Sequence, residues 1–276
     1  MNKVSPILKW AGGKRQLLPQ IMPLIPNDND INRYFEPFVG AGAVLFELNP
    51  RRAVINDANT ELINVYLEIK NNCEELIELM RRYEERHSDT FYYRIRGIDK
   101  DEALFSSLSL TEKAARTIYL NRTCYNGLYR VNKSGHFNTP LGRNMSVQIV
   151  NAEGIRAINR FLNQNEIRLL NGDYQKALKG VRKTDFVFLD PPYYPLKKEY
   201  FTKYDASPFG VNEQVELKKY CDKLNNRGIR FIQTNSNCEE IRELYSDYQL
   251  EEVKVRRSIN ANANERRGTE LIIKNY

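Results

Sequence analysis

The sequence predicts an α/β protein with a doubly wound, mostly parallel seven-stranded sheet and an inserted helical lobe. Short apolar segments of strand type alternate with helical patterns, as in sheets that are covered by helices on both faces. Two of these segments, 186–189 and 230–233, are apolar or nearly so throughout, which is typical of central strands in a buried parallel sheet. The alternation stops between residues 57 and 151, and this interruption predicts the insertion.

Seven segments have the length and composition of strands. In chain order they are 34–38, 53–56, 167–170, 186–190, 229–234, 250–255 and 271–274. The last two carry more charge and favour an edge hairpin, turned by the polar residues 258–268. Helical patterns within the interruption cover residues 61–70, 73–86 and 112–124. We therefore predict one domain formed by residues 1–58 and 151–276, and an inserted domain formed by residues 59–150.

Composition favours a soluble, intracellular protein that binds a polyanion. No apolar run reaches the roughly 20 residues that span a bilayer, and the amino terminus lacks a signal-peptide pattern. The 4 cysteines are far apart and only 2 histidines are present, which predicts free thiols and no metal site. The net charge is +7, and residues 113–152 contain no Asp or Glu. This segment predicts a nucleic-acid surface, since solvated faces usually mix signs. Its basic residues are Lys113, Arg116, Arg122, Arg130, Lys133 and Arg143.

A glycine pair follows the first predicted strand and indicates a nucleotide-type cofactor. In segment 35–42, Gly40 and Gly42 allow the backbone to turn sharply and approach a ligand. The next strand ends at Asp57, where nucleotide-binding α/β folds place an acid on a ribose. A helix cap is the alternative role of this residue. No Walker A loop is present, and Leu45 replaces the third glycine of the dinucleotide fingerprint, which disfavours NAD or FAD.

The motif Asp190-Pro191-Pro192-Tyr193 is the predicted catalytic site. It follows the most apolar predicted strand, at the carboxyl end where doubly wound sheets bind their ligands. The two prolines remove two N–H donors and leave a carboxylate and carbonyls as acceptors for an exocyclic amine. Tyr193 can stack on the ring that carries this amine, and the nitrogen can then attack a sulfonium methyl group. The motif alone leaves adenine N6 and cytosine N4 equally open.

An aromatic and basic segment is predicted to act on a duplex. A base inside a duplex cannot reach the motif, so the enzyme would have to flip it out of the stack. Segment 125–137 leads into a hairpin with a predicted turn at 134–135. Arg130 is expected to read guanine in the major groove, and Tyr125 or Leu128 to wedge into the stack. Core packing is the alternative role of each aromatic residue.

Several segments together resemble the Dam-type DNA adenine methyltransferases, and most of all their DpnM-like branch. They are Lys9–Lys14, Phe35–Gly42, Asn56–Asp57, Tyr125–Arg130, Phe137–Arg143, Asp190–Tyr193 and Val253–Ser258, in the order of the family. The resemblance implies methyl transfer from S-adenosylmethionine, without a metal, to the adenine of GATC in double-stranded DNA. It makes the larger domain catalytic and the inserted domain a target-recognition domain. It also implies a cytoplasmic, DNA-associated protein of bacterial or phage type, expected to be a monomer, with a dimer left open.

The resemblance also implies roles for individual residues. Together with the glycine motif, it predicts a cofactor set formed by Trp10, Ala11, Gly12, Lys14, Phe35, Glu36, Phe38, Gly40, Gly42, Asp57, Asp173 and Asp190. Asp173 is the residue expected to hold the adenine ring of the cofactor. The resemblance further implies DNA contacts by Lys9, Tyr125, Asn126, Leu128, Arg130 and Arg143. The basic segment adds Arg116, Arg122, Asn132 and Lys133 to this predicted DNA-binding set.

Other hypotheses stay open at this point. The same fold methylates RNA or protein amides, although protein-amide enzymes usually begin the catalytic motif with Asn. A catalytically idle DNA-binding module is a further alternative. The loop 258–265 departs from the family pattern, which leaves the phosphate contacts of four arginines open: Arg256, Arg257, Arg266 and Arg267. A role in restriction–modification, in a phage, or in replication and repair is equally open.

Overall fold

The structure is a computed structural model that describes residues 4–27, 30–143, 148–195, 209–256 and 267–276. The chain packs into two compact units. The first unit contains Met1–Gly13, Val39–Arg51 and Asn56–Asp173, and the second contains Lys14–Phe38, Arg52–Ile55 and Tyr174–Tyr276. The glycine motif and the third strand belong to the unit that contains the inserted segment, and the predicted functional domains stay a prediction.

The predicted seven-stranded, mostly parallel sheet is confirmed. Its strands are β1 (Tyr34–Glu36), β2 (Arg52–Asp57), β3 (Glu166–Asn171), β4 (Phe186–Leu189), β5 (Arg230–Ser236), β6 (Gln249–Arg256) and β7 (Arg267–Lys274). Their order across the sheet is β3-β2-β1-β4-β5-β7-β6. The pairs β1–β2, β1–β4 and β4–β5 are parallel, whereas β7 is antiparallel to both β5 and β6. The predicted edge hairpin is therefore present, and most of its turn lies outside the described residues.

The strand order reverses beside β1, which is where open α/β sheets bind their ligands. Tyr34 of β1 pairs with Ala53 on one side and with Phe186 on the other. All four side chains of β4 are buried, and Leu189 is in register with Gln233 of β5. Because β1, β4 and β5 are parallel, their carboxyl ends lie at the same edge of the sheet. The Asp190 motif begins at this edge.

The helices, in chain order, are α1 (Leu18–Ile21), α2 (Ala43–Leu48), α3 (Thr60–Asn71), α4 (Cys73–Glu85), α5 (Asp89–Gly97), α6 (Glu102–Ser107), α7 (Leu110–Thr123), α8 (Ala152–Gln164), α9 (Tyr174–Ala177), α10 (Val211–Asn226) and α11 (Glu239–Leu244). Three of them, α3, α4 and α7, match the predicted helices of the insertion. The sequence interpretation missed α5 and α6. Their cap residues were the available signal, since Ser88 accepts from the Phe91 N–H and Asp101 from the Leu104 N–H. Among the described helices, none has both the length and the apolar character needed to cross a membrane.

Helix α7 forms the centre of the helical part of the first unit. It packs against α3, α4 and α5, and it begins with a capping box between Ser109 and Glu112. The segment that follows α7 forms a short hairpin, in which Val131 pairs with Phe137 and the Asn132 N–H donates to the His136 carbonyl. The predicted hairpin is therefore present. It is connected directly to the most buried helix of the unit.

Candidate active site

The carboxylate of Asp190 is held at one oxygen. Lys14 Nζ lies 2.7 Å from Asp190 Oδ1, and Thr234 Oγ1 donates to the same oxygen at 2.7 Å. The Lys14 side chain is 4% exposed and that of Asp190 is 18% exposed, so water screens this ion pair little. Within the described part of the chain, no donor contacts Oδ2. The arrangement fixes the carboxylate and leaves its second oxygen to accept from a ligand.

The Tyr193 ring is held at its edge and over its face. Its hydroxyl donates to Glu270 Oε2 at 2.7 Å, and Lys14 Nζ lies 4.6 Å from the ring centroid. Burial raises the pKa of Tyr193 well above its usual value, and the negative charges of Asp190 and Glu270 raise this pKa further. The side chain therefore stays a neutral phenol whose ring orientation is set by two partners.

Amide and hydroxyl groups hold the backbone around Tyr193. Gln214 Nε2 donates to the Pro192 carbonyl at 2.8 Å. On the other side of Tyr193, the Tyr194 N–H donates to Asn235 Oδ1 at 3.1 Å, and Ser236 Oγ donates to the Tyr194 carbonyl at 2.7 Å. Sequence reasoning missed these residues. The available signal was the polar run at the end of β5, because polar side chains at the carboxyl end of a buried parallel strand often serve a site.

Three predicted cofactor residues lie in or just after β1. Phe35 and Glu36 are buried, at 1% and 2% exposure, and Glu36 Oε2 accepts from the Tyr34 hydroxyl at 2.9 Å. Burial raises the pKa of Tyr34 well above its usual value, and the charge of Glu36 adds to the effect. Phe38 stacks on Tyr174 with 5.2 Å between the ring centroids. Of the three, Phe35 is a core side chain, whereas Phe38 lies half-buried in an aromatic group at the strand end.

The glycine motif of the first unit is a tight turn that Asp57 holds. Gly40 and Gly42 both have left-handed backbone angles, with φ of 49° and 74°. The Gly40 N–H donates to Asp57 Oδ2 at 3.0 Å, while Asp57 Oδ1 accepts from the Asn59 N–H at 2.9 Å. The cap of α3 is Asn59, which accepts from the Leu62 N–H. Asp57 therefore braces the turn, and the alternative role as the helix cap belongs to Asn59.

Trp10 forms one wall of this turn. Its ring stacks on Tyr129 with 4.9 Å between the centroids, and a Cβ added at Gly40 would lie 3.2 Å from Trp10 Cδ1. Any other residue at position 40 would therefore push against the indole as well as strain the backbone. Three other predicted cofactor residues of this unit are exposed: Ala11, Gly12 and Asp173.

Most of the predicted DNA contacts lie in segment 125–143, where several side chains are exposed. Tyr125 is 48% exposed, and Asn126 has a left-handed backbone with φ of 56°. The Arg130 side chain is exposed, and its Nε donates to Asn138 Oδ1 at 2.8 Å. Leu128 is half-buried, whereas Lys133 and Arg143 are exposed.

Two asparagines shape this segment. Asn132 Oδ1 accepts from the Ser134 and His136 N–H groups, both at 3.0 Å, so this predicted DNA residue also fixes the hairpin turn. Buried Asn121 of α7 exchanges hydrogen bonds with the Lys9 backbone, at 2.9 Å and 2.7 Å, and donates to the Gly127 carbonyl at 3.1 Å. Asn121 therefore joins Lys9, whose side chain is exposed, to the turn at Gly127.

Residues 10–259 match the model of the D12 class of N6 adenine-specific DNA methyltransferases. This chain belongs to that family. The type II methyltransferase M1.LlaDCHI of Lactococcus lactis subsp. cremoris is 42% identical over 279 residues, which cover 100% of this chain and 97% of the relative. The type II methyltransferase M.MjaIII of Methanocaldococcus jannaschii is 36% identical over 99% of this chain and 100% of its own length. The DNA adenine methylase of Escherichia coli strain K12 is 32% identical over 100% of this chain and 96% of its own length.

Membership in the D12 class confirms the family resemblance and the prediction of an adenine-specific DNA methyltransferase. The Asp190 motif alone left adenine N6 and cytosine N4 open as the methylated amine, and the family is specific for adenine N6. The individual site residues stay predictions, and the surroundings of two arginines weaken the case for their DNA contacts.

Arg116 of this D12 methyltransferase is buried and has partners in the protein interior, which argues against the predicted DNA contact. Its side chain is 4% exposed and forms an ion pair with Asp99 at 2.8 Å. The guanidinium also donates to the carbonyls of Ile95 and Arg96, both at 3.0 Å. A phosphate would have to compete with these interior partners, so the structure weakens the case for a DNA contact at Arg116. Sequence position alone does not reveal such burial.

Arg122 is engaged in a similar way but is only half-buried. Its Nε donates to the Gln148 carbonyl at 3.1 Å, and Nη2 donates to the same oxygen. Burial lowers the pKa of Arg122. A phosphate would have to compete with this carbonyl, so the structure weakens the case for a DNA contact at Arg122.

The arginines around the edge hairpin stay untested. Arg257 and Arg266 lie outside the described residues, as does the loop 258–265, and the side chains of Arg256 and Arg267 are outside the description too. Over the ranges that are described, no group of three or more His, Cys, Asp or Glu residues is placed to hold a metal.

Proposed function

We propose that this D12 class enzyme transfers a methyl group from S-adenosylmethionine to adenine N6 in GATC of double-stranded DNA, acting on a base flipped out of the duplex. The observation that carries the proposal is the Asp190 loop, in which Lys14 and Thr234 both meet Oδ1. The second carboxylate oxygen of Asp190 and the Pro191 carbonyl are acceptors, and an exocyclic amine offers two N–H donors. The loop and the substrate amine are thus complementary.

The residues assigned to the cofactor suit its chemistry. In the first unit, the carboxylates of Asp57 and Asp173 can accept from ribose hydroxyls and from an adenine amine. In the second unit, Glu36 is a buried carboxylate that suits the ammonium of a methionine group, and Phe38 offers an aromatic surface. When bound, S-adenosylmethionine supplies an electrophilic methyl group on a sulfonium sulfur.

The Asp190 loop then activates the amine. The Asp190 carboxylate and the Pro191 carbonyl accept its two hydrogens, which draws the nitrogen out of conjugation and exposes its lone pair. Tyr193 stacks on the flipped base, and its neutral ring suits a neutral adenine. Lys14 orients the Asp190 carboxylate by its charge. As N6 gains the methyl group and the bond from that group to sulfur breaks, one N6 proton would pass along the hydrogen bond to the Asp190 carboxylate.

A methyl-transfer assay with labelled S-adenosylmethionine tests this proposal. Duplexes with and without GATC are incubated with the wild type, with Asp190→Ala and with Asp247→Ala, a control acid that is 82% exposed. We expect label in the GATC duplex, a loss of more than about 100-fold in Asp190→Ala, and wild-type rates in the control. Mass spectrometry of the digested nucleosides should find N6-methyladenine. Equal labelling of both duplexes would refute the GATC assignment, and no labelling by the wild type would favour an idle DNA-binding protein.

Arg130 provides a separate test of sequence reading. We propose that its exposed guanidinium reads a guanine of the site, so Arg130→Ala should relax specificity at one position by about 1–3 kcal/mol. The matched control is Lys133→Ala, which should weaken binding to all duplexes alike if Lys133 contacts a phosphate. Binding is measured against duplexes with each single base substitution. Uniform weakening in Arg130→Ala would assign Arg130 to a phosphate.

A further inference from the structure

We propose that Gln214 and Asn235 position the catalytic loop for methyl transfer without touching either substrate. We call this pair the amide bracket. The inference rests on the proposed function, since the loop that the bracket holds is the Asp190-Pro191-Pro192-Tyr193 motif. It adds two positioning residues to the reaction.

The amide bracket holds the backbone on both sides of Tyr193. Gln214 of α10 is 1% exposed and donates from Nε2 to the Pro192 carbonyl at 2.8 Å. Asn235 of β5 is fully buried and accepts at Oδ1 from the Tyr194 N–H at 3.1 Å. The two side chains are joined to each other, because Asn235 Nδ2 donates to Gln214 Oε1 at 2.9 Å. A continuous chain of three hydrogen bonds therefore runs from the peptide before Tyr193 to the peptide after it.

The loop needs such side-chain partners because it has left the sheet. Pro191 and Pro192 have no N–H to donate, so neither can anchor the loop as a backbone donor. Gln214 supplies a donor to the Pro192 carbonyl, which leaves the Asp190 carboxylate and the Pro191 carbonyl as the acceptors for the substrate amine. The bracket thus determines which oxygens of the loop are engaged by protein. It also fixes the main chain from which the Tyr193 ring projects.

The same strand contains a matched residue that does not contact the loop. Gln233 is also fully buried, and it lies two positions before Asn235, on the same face of β5. Its Oε1 lies 3.3 Å from Cys221 Sγ of α10, two helical turns beyond Gln214. Replacing Gln233 therefore perturbs the same β5–α10 interface without removing a hydrogen bond from the loop.

The main experiment compares kinetics of Gln214→Met, Asn235→Ala and Gln233→Met with the wild type. Shifts of about 1 Å at a reacting centre can cost about 100-fold in rate, so we expect kcat to fall 10- to 100-fold in the two bracket variants. KM for the duplex should change by less than about threefold, since neither residue contacts DNA in this proposal. Gln233→Met should keep kcat within about twofold. Equal losses of kcat in all three variants, in proportion to their loss of thermal stability, would overturn the proposal.

The pH dependence of kcat in Gln214→Glu is a second measurement, because a merely structural role of Gln214 would not change this dependence. The carboxylate has no proton for the Pro192 carbonyl, but the protonated acid can donate to Pro192 and still accept from Asn235. The kcat of Gln214→Glu should therefore recover toward the wild type as the pH is lowered. The charged groups Asp190, Glu270 and Lys218 are present in both enzymes, so the measured quantity is the ratio of kcat in Gln214→Glu to kcat in the wild type at each pH. A ratio that is flat with pH would contradict the bracket.

Hydrogen exchange separates failure of the bracket from failure of the proposed function. Asn235→Ala should speed exchange of the Tyr194 amide, whereas Gln233→Met should not, and neither result requires catalysis. If the wild type transfers no methyl group but the Tyr194 amide loses protection as expected, the proposed function fails and the bracket stands. If the Tyr194 amide exchanges alike in the wild type and in Asn235→Ala, the bracket fails.

Discussion

Replacing Arg116 with Met distinguishes a structural arginine from a DNA-binding one. Arg116 pairs with Asp99 at 2.8 Å, and Asp99 Oδ2 also accepts from the Phe137 N–H at 2.7 Å. Methionine preserves much of the aliphatic volume but removes the charge and the donors. Asp99 is then left with its charge in a mostly buried position. We expect the effect to reach the hairpin formed by residues 131–137 through Phe137.

The size of the effect follows from the burial of the pair. The side chains of Arg116 and Asp99 are 4% and 10% exposed, and removing one partner of a buried ion pair costs about 3–5 kcal/mol. In a chain of this length, 1 kcal/mol lowers the melting temperature by about 2–4 °C, so the fall should be about 10 °C. An apolar replacement of both partners is often neutral, so Arg116→Met combined with Asp99→Leu should recover much of the loss.

Two measurements on Arg116→Met check this reasoning. Thermal unfolding by circular dichroism should show the lower melting temperature. The dependence of DNA affinity on salt should stay as in the wild type, because each phosphate contact contributes about 0.9 to the slope and Arg116 makes none. Arg130→Met, at an exposed position, is the control that should leave the melting temperature unchanged. An unchanged melting temperature with a slope smaller by about 0.9 would refute the structural role.

Three further predictions concern single side chains. Lys14→Met should lower the unfolding free energy of the second unit by about 3 kcal/mol in calorimetry, because Asp190 loses its buried counter-charge. Lys14→Arg should recover part of this loss. Equal stability of the wild type and both variants would contradict the ion pair. Tyr193→Phe should lower the unfolding free energy by about 1–3 kcal/mol, since Glu270 loses a hydrogen-bond donor. The variant should keep most methyl-transfer activity, because it keeps the aromatic ring. An activity as low as that of Tyr193→Ala would show that the ring alone does not support methyl transfer. Burial lowers the pKa of His87 from 6.5, so the unfolded state gains a proton first and stability falls as the pH drops below about 6.5. Urea unfolding from pH 5 to 8 should show a flatter profile in His87→Gln, and parallel profiles would argue against this role.

Local patterns in the sequence were sufficient for most of the fold. Each of the seven predicted strands is present, because apolar runs of four to eight residues between turn residues usually form buried strands. The long helices α3, α4 and α7 were found for the same reason. The short helices α5 and α6 were missed, since their apolar positions are too few to show a period. Their stability comes from packing and from the caps at Ser88 and Asp101.

The Asp190-Pro191-Pro192-Tyr193 motif shows how far such patterns extend into a candidate site. Its position at the end of β4 and the absence of an N–H at its two prolines could be predicted from residues 186–193. The partners of the motif could not be predicted from these residues, because Lys14, Thr234 and Glu270 come from distant parts of the chain and contact the motif only after folding.

The amino-acid order thus established most of the strand and helix pattern, the Asp190-Pro191-Pro192-Tyr193 motif and the family. These are properties of contiguous residues, which local conformational preference and hydrophobic periodicity encode directly. Folding established the burial of Arg116, the ion pair of Lys14 and the amide bracket of Gln214 and Asn235. Each of these depends on distances between residues that are remote along the chain. The sequence does not show whether a charged or amide side chain faces water, a substrate or a carbonyl in the core.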